Sequence, residues 1–581
     1  MLRRHLWLLA AALLLAAALV FNLTGYPLLD PDEGRNAEIM REMAQSNDYV
    51  LPRLNGLPYL DKPVAFFAVG AGVMEFLGPV EVAARLPSLL FTICTLVLVG
   101  RFAAREYGDE AAPTAVIATA ATPFTLAYSR TVIFDSALTF WVVLAVLGLY
   151  RAVEADGAAA DDPSSDNSDR TAPASPAIWY RALAWGAMAL GVLTKGPIAL
   201  GLPLMIMLPY ALWRRRVRAV WDLTAVLLFV ALVLPWVFAV SREVPDFVDY
   251  AVGTETLGRL TTTALGRTGP FWYFLVILPA AALPWSLVVP AGLGGAGRSA
   301  DRRMIFYLLW VAIPLVFFSL SQSKRPQYMM PLVPAVALLV THTWHRQSRE
   351  LPGVRSATAI LAALGLVLVA GARWIPGLVP ATPEIAAAIP GTSIIIGGSC
   401  LISAMAAWFW SARRQRVLLA FTLPVAVIPF ASTDLMAAIG RHRSAKELAQ
   451  AISSAAPQQT QIIGVETLPL SLPFYLRRTV TLATRDASEL TSNYLVRDPQ
   501  RWTRIPGTPL RHARWWRLAA LNCDRPRVFV VRSGDKEARA ELAERLPVII
   551  DTGRYAALGP CGTTDLASPP LPRHDLRPSP F

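Results

Sequence analysis

Long apolar runs separated by short polar connections occupy roughly the first three quarters of the chain. A run of about 20 apolar residues is long enough to cross a bilayer as a helix. The N-terminal run, through residue 23, is interpreted as an uncleaved first span. With the later runs it predicts about thirteen transmembrane helices. The later runs lie at residues 81–102, 110–128, 133–152, 178–193, 197–213, 219–240, 270–291, 304–320, 327–344, 355–373, 391–411 and 417–437.

The pattern changes at about residue 441, where polar and apolar residues begin to mix. Short β-like runs at 461–465, 479–482, 527–531 and 548–550 alternate with helical patterns. Such alternation is typical of a small α/β domain. We therefore predict a membrane domain over residues 1–440, an α/β domain over 441–567 and a disordered, proline-rich tail over 568–581.

Composition and charge agree with a membrane protein. Only 16% of the residues are charged, whereas soluble proteins average about 25%. The net charge of +13 comes from basic clusters on alternate connections. In membrane proteins, Lys and Arg are enriched in the cytoplasmic connections. This excludes nucleic-acid binding and predicts a cytoplasmic N-terminus with the C-terminal domain outside. The clusters are Arg101 with Arg105, Arg214–Arg216 with Arg218, Arg302 with Arg303, His345 with Arg346 and Arg349, and Arg413 with Arg414 and Arg416.

The four cysteines do not form a metal-binding pattern. Cys94 and Cys400 fall in apolar runs. Cys523 and Cys561 fall in the C-terminal domain, where they could pair if that domain lies outside the cytoplasm. The chain also lacks a glycine-rich nucleotide-binding loop, which argues against a nucleotide-linked substrate.

The most polar part of the first third is Leu28–Pro63, within the first predicted outer loop (residues 24–80). It carries Asp30, Asp32, Glu33, Asp61 and Lys62 beside predicted spans. Ionisable groups next to lipid are costly and usually functional. A carboxylate there can act as a base, and Asp30 or Asp32 could instead cap a helix over about 33–45. Asp61 could bind a metal ion, and Lys62 could meet a phosphate group.

Further charged residues fall at the same predicted face. Asp135 lies just inside an apolar run, and Lys195 lies at a Gly-Pro break between two runs. Lys324 lies in a basic turn on a face where cations are uncommon. Arg259 and Glu255 are weaker candidates in the preceding outer loop. Carboxylates opposite several cations suit transfer of a sugar from a lipid-linked phosphate, because the cations stabilise the departing phosphate.

Several segments resemble those of bacterial GT-C glycosyltransferases that use polyprenyl-phosphate sugars, namely the aminoarabinose transferases of lipid A and, more distantly, the protein O-mannosyltransferases. The strongest segment is Asp30–Pro63, with DPDEGRNAEI, MREM and DYVLPRLNGLPYLDKP. LTKGP around Lys195, SKRPQYMMP and SLPFYLRR at 471–478 also agree. The resemblance covers about residues 1–440, and the late outer domain resembles the aminoarabinose transferases specifically. It implies a GT-C fold: a polytopic helical membrane protein with a small extracytoplasmic α/β domain.

The resemblance also implies roles for individual residues. Asp32 corresponds to the catalytic carboxylate and Asp135 to its acidic partner. Asp61 falls at a proposed metal-ligand position. Lys62, Lys195, Arg259 and Tyr328 correspond to contacts of the donor phosphate.

One departure concerns a metal ion. The family segment often reads Glu-His-x-x-Arg, but this chain has Thr256 after Glu255. No cofactor is therefore assigned, and a divalent metal ion is left open.

These observations predict an inverting glycosyltransferase of the bacterial inner membrane. Its donor would be a sugar on polyprenyl (undecaprenyl) phosphate, and its acceptor lipid A, another glycan or a protein. The alternative is a transporter or flippase of lipid-linked sugars. That alternative is weakened by the absence of an internal sequence repeat and by charges that gather at one face rather than at mid-membrane.

Overall fold

The computed structural model describes residues 2–160, 176–258, 269–290, 301–346 and 351–561. The segment 161–175, the residue Arg259 and the predicted tail 568–581 lie outside the described residues. The first half of the chain forms ten helices that we label in chain order. They are α1 (Leu2–Val20), α2 (Asp32–Ser46), α3 (Ala65–Leu77), α4 (Glu81–Tyr107), α5 (Ala112–Ala120), α6 (Pro123–Ser129), α7 (Asp135–Ala160), α8 (Pro176–Lys195), α9 (Ile198–Trp213) and α10 (Leu223–Glu243).

After α10 come two short helical segments, Phe247–Asp249 and Tyr250–Gly258. Further apolar helices then complete the bundle, and two more lead out of it. The apolar helices are Tyr273–Ala281, Arg302–Leu320, Val333–Arg346, Val354–Gly371, Pro383–Phe409 and Arg414–Ala431, and those leading out are Thr433–Arg443 and Lys446–Ala455.

Eight helices of the described part have the length and apolar composition needed to cross a membrane. Parts of α1, α3 and α9 are apolar but shorter. The prediction of about thirteen spans counted such short helices and also runs that the structure breaks. The run 110–128 is two helices, because Thr122 accepts a hydrogen bond from the Thr125 amide and Pro123 begins α6. The run 270–291 is likewise interrupted after Ala281.

One end of the bundle collects the basic clusters. Arg303 Nε lies 2.7 Å from Glu106 Oε2 at the end of α4. Arg214 and Arg302 both reach Glu154 in α7, at 3.2 and 2.9 Å. Because these residues belong to different predicted cytoplasmic connections, the contacts place those connections together. The opposite end carries α2 and the C-terminal sheet.

The C-terminal domain contains a six-stranded mixed sheet with the order β5-β4-β3-β6-β8-β7. Strand β3 pairs in parallel with β4 and β6, and β4 pairs in parallel with β5. Strand β8 runs antiparallel to both β6 and β7. A separate hairpin in the first loop forms β1 and β2 around the predicted Asn55-Gly56 turn. The strands are β1 (Arg53–Leu54), β2 (Leu57–Pro58), β3 (Gln461–Val465), β4 (Thr481–Thr484), β5 (Leu510–His512), β6 (Arg527–Arg532), β7 (Val548–Asp551) and β8 (Tyr555–Cys561).

Short helices accompany this sheet. On one face, Phe529 and Val531 pack on helices of the domain itself. On the other face, Val528 and Val530 belong to a core shared with α2 and α3 of the membrane domain. This alternation follows from the two-residue period of a strand. The helices of the domain are Leu472–Leu476, Asn493–Arg497, Pro499–Thr503, Trp515–Leu521 and Lys536–Ala543.

Polar contacts also join the first loop to the C-terminal domain. The Asn55 side chain exchanges two hydrogen bonds with the main chain of Val480, at 2.8 and 2.7 Å. The Asp30 amide donates to the Arg443 carbonyl at 2.8 Å, and the Arg443 guanidinium donates back to the Asp30 carbonyl at 2.6 Å. The loop and the domain are therefore bound to each other through their main chains.

Candidate active site

Asp32 begins α2 and is the most accessible of the candidate carboxylates. Its side chain is 43% exposed, and Arg35 Nη2 lies 2.6 Å from its Oδ1. The position before it, Pro31, makes no side-chain capping bond. Although burial acts to lower it, the pKa of Arg35 is raised because Tyr59 and the Asp32 carboxylate lie close. Arg35 therefore stays charged and holds the Asp32 carboxylate in place.

Glu33, in the first turn of α2, forms a buried ion pair with α4. It is buried, and its carboxylate meets the fully buried guanidinium of Arg85 at 2.8 Å. Arg85 also donates to the main-chain carbonyls of Leu23 and Tyr26, at 2.6 and 3.0 Å. This pair ties the start of the first loop to α4, because an unpaired buried charge would be very costly.

Asp30 is also buried and does not cap α2. Ser471 Oγ donates to its Oδ2 at 2.9 Å, while Oδ1 has no hydrogen-bond partner among the described residues. Burial raises the pKa of Asp30 to about 7, and Ser471 acts against the increase. Asp30 thus lies in the junction with the C-terminal domain rather than in an open cleft.

Asp61 is surrounded by hydrogen-bond donors. Its Oδ1 accepts from Tyr250 Oη at 2.7 Å, from Ser492 Oγ at 3.1 Å and from the Tyr494 amide at 3.2 Å. Its Oδ2 accepts from the Asn493 amide at 2.9 Å. Both oxygens are therefore already bound by donors.

This geometry does not fit the predicted metal-ligand role of Asp61. A divalent cation would need oxygen or nitrogen lone pairs pointing to a common centre, whereas N–H and O–H groups point at Asp61. Within the part of the chain that the structure describes, no three His, Cys, Asp or Glu side chains form a metal-binding group. Asp61 is a hydrogen-bond acceptor in this structure, and its metal-ligand role stays a prediction that this arrangement does not support.

Lys62 and Glu255 lie beside Asp61. The Lys62 ammonium donates to the main-chain carbonyl of Asp61 and lies 3.6 Å from Glu255 Oε2. Tyr250 Oη reaches both carboxylates, since it also lies 3.1 Å from Glu255 Oε1. Burial and the two neighbouring carboxylates raise the pKa of Tyr250, so its hydroxyl remains a donor.

Asp135 and Lys195 form a second charged pair nearby. Asp135 is the first residue of α7 and Lys195 the last of α8, and their side chains are hydrogen-bonded. Only 3% of the Asp135 side chain and 14% of the Lys195 side chain are exposed. The Lys195 ammonium also lies 5.8 Å from the centre of the Tyr328 ring. Adjacent helix ends thus bring together three predicted site residues from distant parts of the sequence.

A cavity of about 510 Å³ connects most of these groups. Its walls are largely apolar side chains of α8, α9, α10 and Phe317–Phe318, including Val192, Leu202 and Val237. Its polar lining consists of Asp61, Lys62, Lys195, Glu255 and Tyr328. The cavity therefore combines largely apolar walls with two ammonium groups, two carboxylates and a phenol.

Lys324 does not line this cavity with the other cations. Its ammonium donates to the carbonyls of Ser319 and Ser321, both at 2.8 Å, at the end of the helix Arg302–Leu320. Burial lowers the pKa of this lysine. A lysine that turns back onto its own helix end satisfies carbonyls that have no helical partner. Lys324 therefore caps this helix end in the structure, and its contact with the donor phosphate stays a prediction.

The sequence did not reveal four residues that contact Asp61. Tyr250 lies 189 residues after Asp61, and Ser492 and Tyr494 lie more than twice as far away, at 431 and 433 residues. Asn493 is the fourth, and it also donates through Nδ2 to Glu255 at 2.7 Å. Nothing in their local patterns distinguishes them from ordinary polar residues of a small domain.

Comparison with known proteins supports the resemblance. The family described as dolichyl-phosphate-mannose-protein mannosyltransferase matches residues 6–251. The undecaprenyl phosphate-alpha-4-amino-4-deoxy-L-arabinose arabinosyl transferase of Pseudomonas paraeruginosa is 31% identical over 379 residues, which cover 63% of this chain and 65% of that protein. The enzyme of the same name from Serratia proteamaculans is 30% identical over 342 residues, 58% of each chain. The chain thus matches about three fifths of the length of these relatives.

The whole fold matches a solved structure. ArnT from Cupriavidus metallidurans bound to undecaprenyl phosphate has a TM-score of 0.79 and 24% identity, covering 97% of this chain and 99% of that one. The prediction of a GT-C fold with a small C-terminal domain is confirmed. The resemblance to the polyprenyl-phosphate-dependent GT-C glycosyltransferases is likewise confirmed, and the chain is a multi-pass membrane protein.

Proposed function

We propose that this protein is an integral membrane glycosyltransferase that moves a sugar from undecaprenyl phosphate to an acceptor at the outer face of the bacterial inner membrane. The cavity carries the proposal. Its largely apolar walls suit a polyprenyl chain, and Lys62, Lys195 and Tyr328 in its lining suit a phosphate. An apolar cavity that also presents cations is the combination that a lipid phosphate requires.

The chemistry that these groups support is a single displacement with inversion. An acceptor oxygen forms a bond to the anomeric carbon while the bond from that carbon to the phosphate oxygen breaks. The electron pair leaves with undecaprenyl phosphate, and Asp32 takes the acceptor proton. Lys62 and Lys195 stabilise the charge that develops on the phosphate. Arg259 remains a predicted further contact of that phosphate.

Asp135 acts in this scheme through Lys195. Its carboxylate is almost wholly buried and hydrogen-bonded to the Lys195 ammonium. We therefore propose a positioning role for Asp135 in place of a direct catalytic one. Because both charges are already held in position, they do not have to reorient when charge develops on the phosphate, which is the main benefit of such a pair.

The relatives indicate which donor to test first. Their names specify 4-amino-4-deoxy-L-arabinose on undecaprenyl phosphate. We propose the same donor here, with lipid A, another glycan or a protein as the acceptor.

The orientation that we propose has a cytoplasmic N-terminus and an extracytoplasmic C-terminal domain. Two observations support it. The basic clusters meet at the end of the bundle opposite α2, in agreement with the positive-inside pattern. Cys523 and Cys561 form a disulfide in the C-terminal domain, and disulfides persist in oxidising compartments.

The test is a transfer assay with purified protein in proteoliposomes. Undecaprenyl-phosphate aminoarabinose is the donor, lipid A is the first acceptor, and products are detected by mass spectrometry. We expect Asp32→Asn to lower the rate by about 10²- to 10⁴-fold, the usual contribution of a general base. Asp434→Asn is the control, because Asp434 is exposed on a helix at the same end. Full activity of well-folded Asp32→Asn protein would reject the mechanism, and movement of the donor across the bilayer without transfer would indicate a flippase.

A further inference from the structure

Four consecutive residues of the C-terminal domain, Thr491–Tyr494, contact the candidate active site at three points. We call them the 491–494 segment. They precede and begin the short helix Asn493–Arg497. Their contacts lie between the sheet domain and the first loop. None of these residues belongs to a segment that the sequence marked as functional.

The first contact fixes Asp61. Three of the four hydrogen bonds that its carboxylate accepts come from this segment, through Ser492 Oγ and the amides of Asn493 and Tyr494. Asp61 itself is only 7% exposed. Amides that open a helix are natural donors to a carboxylate. The C-terminal domain therefore determines which way the Asp61 carboxylate points.

The second contact fixes Glu255. Asn493 Nδ2 donates to Glu255 Oε1 at 2.7 Å, while the other oxygen of Glu255 lies 3.6 Å from the Lys62 ammonium. Asp61 and Glu255 are also bridged by Tyr250. Asn493 thus reaches Lys62 through a single intervening carboxylate.

The third contact concerns Asp32. Thr491 Oγ1 accepts from Arg35 Nη1 at 2.9 Å, and Arg35 Nη2 holds Asp32. Thr491 has φ 50° and ψ 32°, a left-handed conformation that is uncommon for a β-branched residue. Such a conformation persists only where the surroundings hold it. The hydroxyl is therefore presented to Arg35 at a conformational cost.

We infer that the 491–494 segment is a positioning element for the transfer reaction, with Asn493 as its central side chain. It orients the carboxylates of Asp61 and Glu255, and through Glu255 it orients the Lys62 ammonium toward the donor phosphate. The C-terminal domain is on this view part of the active site and not only a cover. The inference rests on the proposed function for its link to the donor.

The direct test is Asn493→Ala, with Asn522→Ala as the matched control. Asn522 is an exposed asparagine of the same domain. We expect Asn493→Ala to weaken binding of undecaprenyl phosphate about tenfold and to raise the donor KM similarly, which equals about 1.4 kcal/mol. The acceptor KM and the thermal midpoint should match those of the control. Equal donor binding in the two variants would overturn the inference.

A second variant distinguishes positioning from a structural role. Asn493→Asp places a carboxyl group against Glu255, close to Asp61, Tyr250 and Lys62. When ionised it repels Glu255, and when protonated it can donate as the amide did. The activity of this variant relative to wild type should therefore rise as the pH falls from about 8 to about 5. A constant ratio would contradict the inference.

The two proposals fail separately. Binding of undecaprenyl phosphate can be measured without any sugar or acceptor. If wild-type protein bound it but transferred nothing, the proposed function would fail while the positioning of Lys62 would still be tested by Asn493→Ala. If wild-type protein transferred sugar and Asn493→Ala behaved like the control, only the positioning inference would fail.

Discussion

At the scale of single residues, the buried carboxyl group of Asp30 makes stability depend on pH. Burial raises its pKa to about 7 from an ordinary value of 3.8, against the effects of Ser471, Arg554 and Arg443. A group that binds its proton more tightly in the folded state stabilises the fold fully below its unfolded pKa. That stabilisation is lost as the pH rises through the folded pKa.

We therefore expect the thermal midpoint of the wild-type protein to fall as the pH rises from about 4 to about 7. The midpoint of Asp30→Asn should change less, because an amide stays neutral throughout this range. Thermal unfolding in detergent at several pH values measures both. Equal pH dependence of the two proteins would show that Asp30 is not the responsible group.

The Asp135–Lys195 pair allows a second prediction at this scale. Removing one partner of a buried pair leaves an uncompensated charge and typically costs about 3–5 kcal/mol. Lys195→Met should therefore lower the free energy of unfolding by that order, and Asp135→Asn together with Lys195→Met should cost less than the sum of the single changes. Denaturant unfolding of the wild type, the two single variants and the double variant measures the coupling free energy as a double-mutant cycle.

An exposed pair at the same end serves as the control. Arg441 and Glu384 lie 3.1 Å apart with side chains 50% and 64% exposed. Exposed pairs contribute about 0–1 kcal/mol, so Arg441→Met should have little effect. Additive effects of the Asp135 and Lys195 changes would contradict the coupling.

The hydropathy pattern locates the charged residues of the site but does not locate their hydrogen-bond partners. Asp61, Lys62, Asp135 and Lys195 were predictable because a charge beside an apolar run is conspicuous. The direction of a side chain is not encoded by such a pattern. For Lys324 the pattern predicts a phosphate contact, whereas in the structure its ammonium donates to carbonyls at the end of its own helix.

At the scale of elements, the docking of α2 on the C-terminal domain depends on Gly34. A Cβ atom added there would lie 2.1 Å from Asp30 Oδ1 and 2.5 Å from the Ser471 amide nitrogen. The second neighbour is main chain and cannot move aside easily. The start of α2 can approach the domain only because residue 34 has no side chain.

Gly34→Ala should accordingly displace α2 and strongly reduce both transfer activity and thermal stability. Gly72→Ala in α3 is the control, since nothing lies within 4 Å of its added Cβ. In a helix interior that change should be neutral or stabilise by about 0.5–1 kcal/mol. Measuring the transfer activity and the thermal midpoint of the two variants tests this prediction. A harmless Gly34→Ala would mean that α2 does not pack as closely as described.

Several elements were predictable because a local signal specifies them. The strand β3 occupies the predicted 461–465, and α2 extends the predicted helix by one residue at each end. The Asn55-Gly56 turn joins β1 and β2. Hydropathy alone could not show that 110–128 forms two helices, because the apolar run continues across the break, which the capping at Thr122 creates.

At the scale of the whole molecule, the proposed orientation can be tested directly. Alkaline phosphatase folds actively only outside the cytoplasm, so a fusion at the C-terminus should be active. A fusion in the connection after Arg216 should be inactive. In the intact cell, Cys523 and Cys561 should resist alkylation until a reductant is added, because they form a disulfide. An inactive C-terminal fusion would reverse the proposed orientation.

The hydrogen bonds from the Arg443 guanidinium to the Asp30 carbonyl join residues 413 positions apart, and the bond from the Tyr494 amide to the Asp61 carboxylate joins residues 433 apart. Synthesis at about 5–20 residues per second separates the emergence of the two halves by roughly 20–90 s. During that time Asp30 lacks Ser471, and Asp61 lacks the donors of the 491–494 segment. We therefore expect a chain terminated before residue 491 to lack the positioned carboxylates on which the proposed transfer depends.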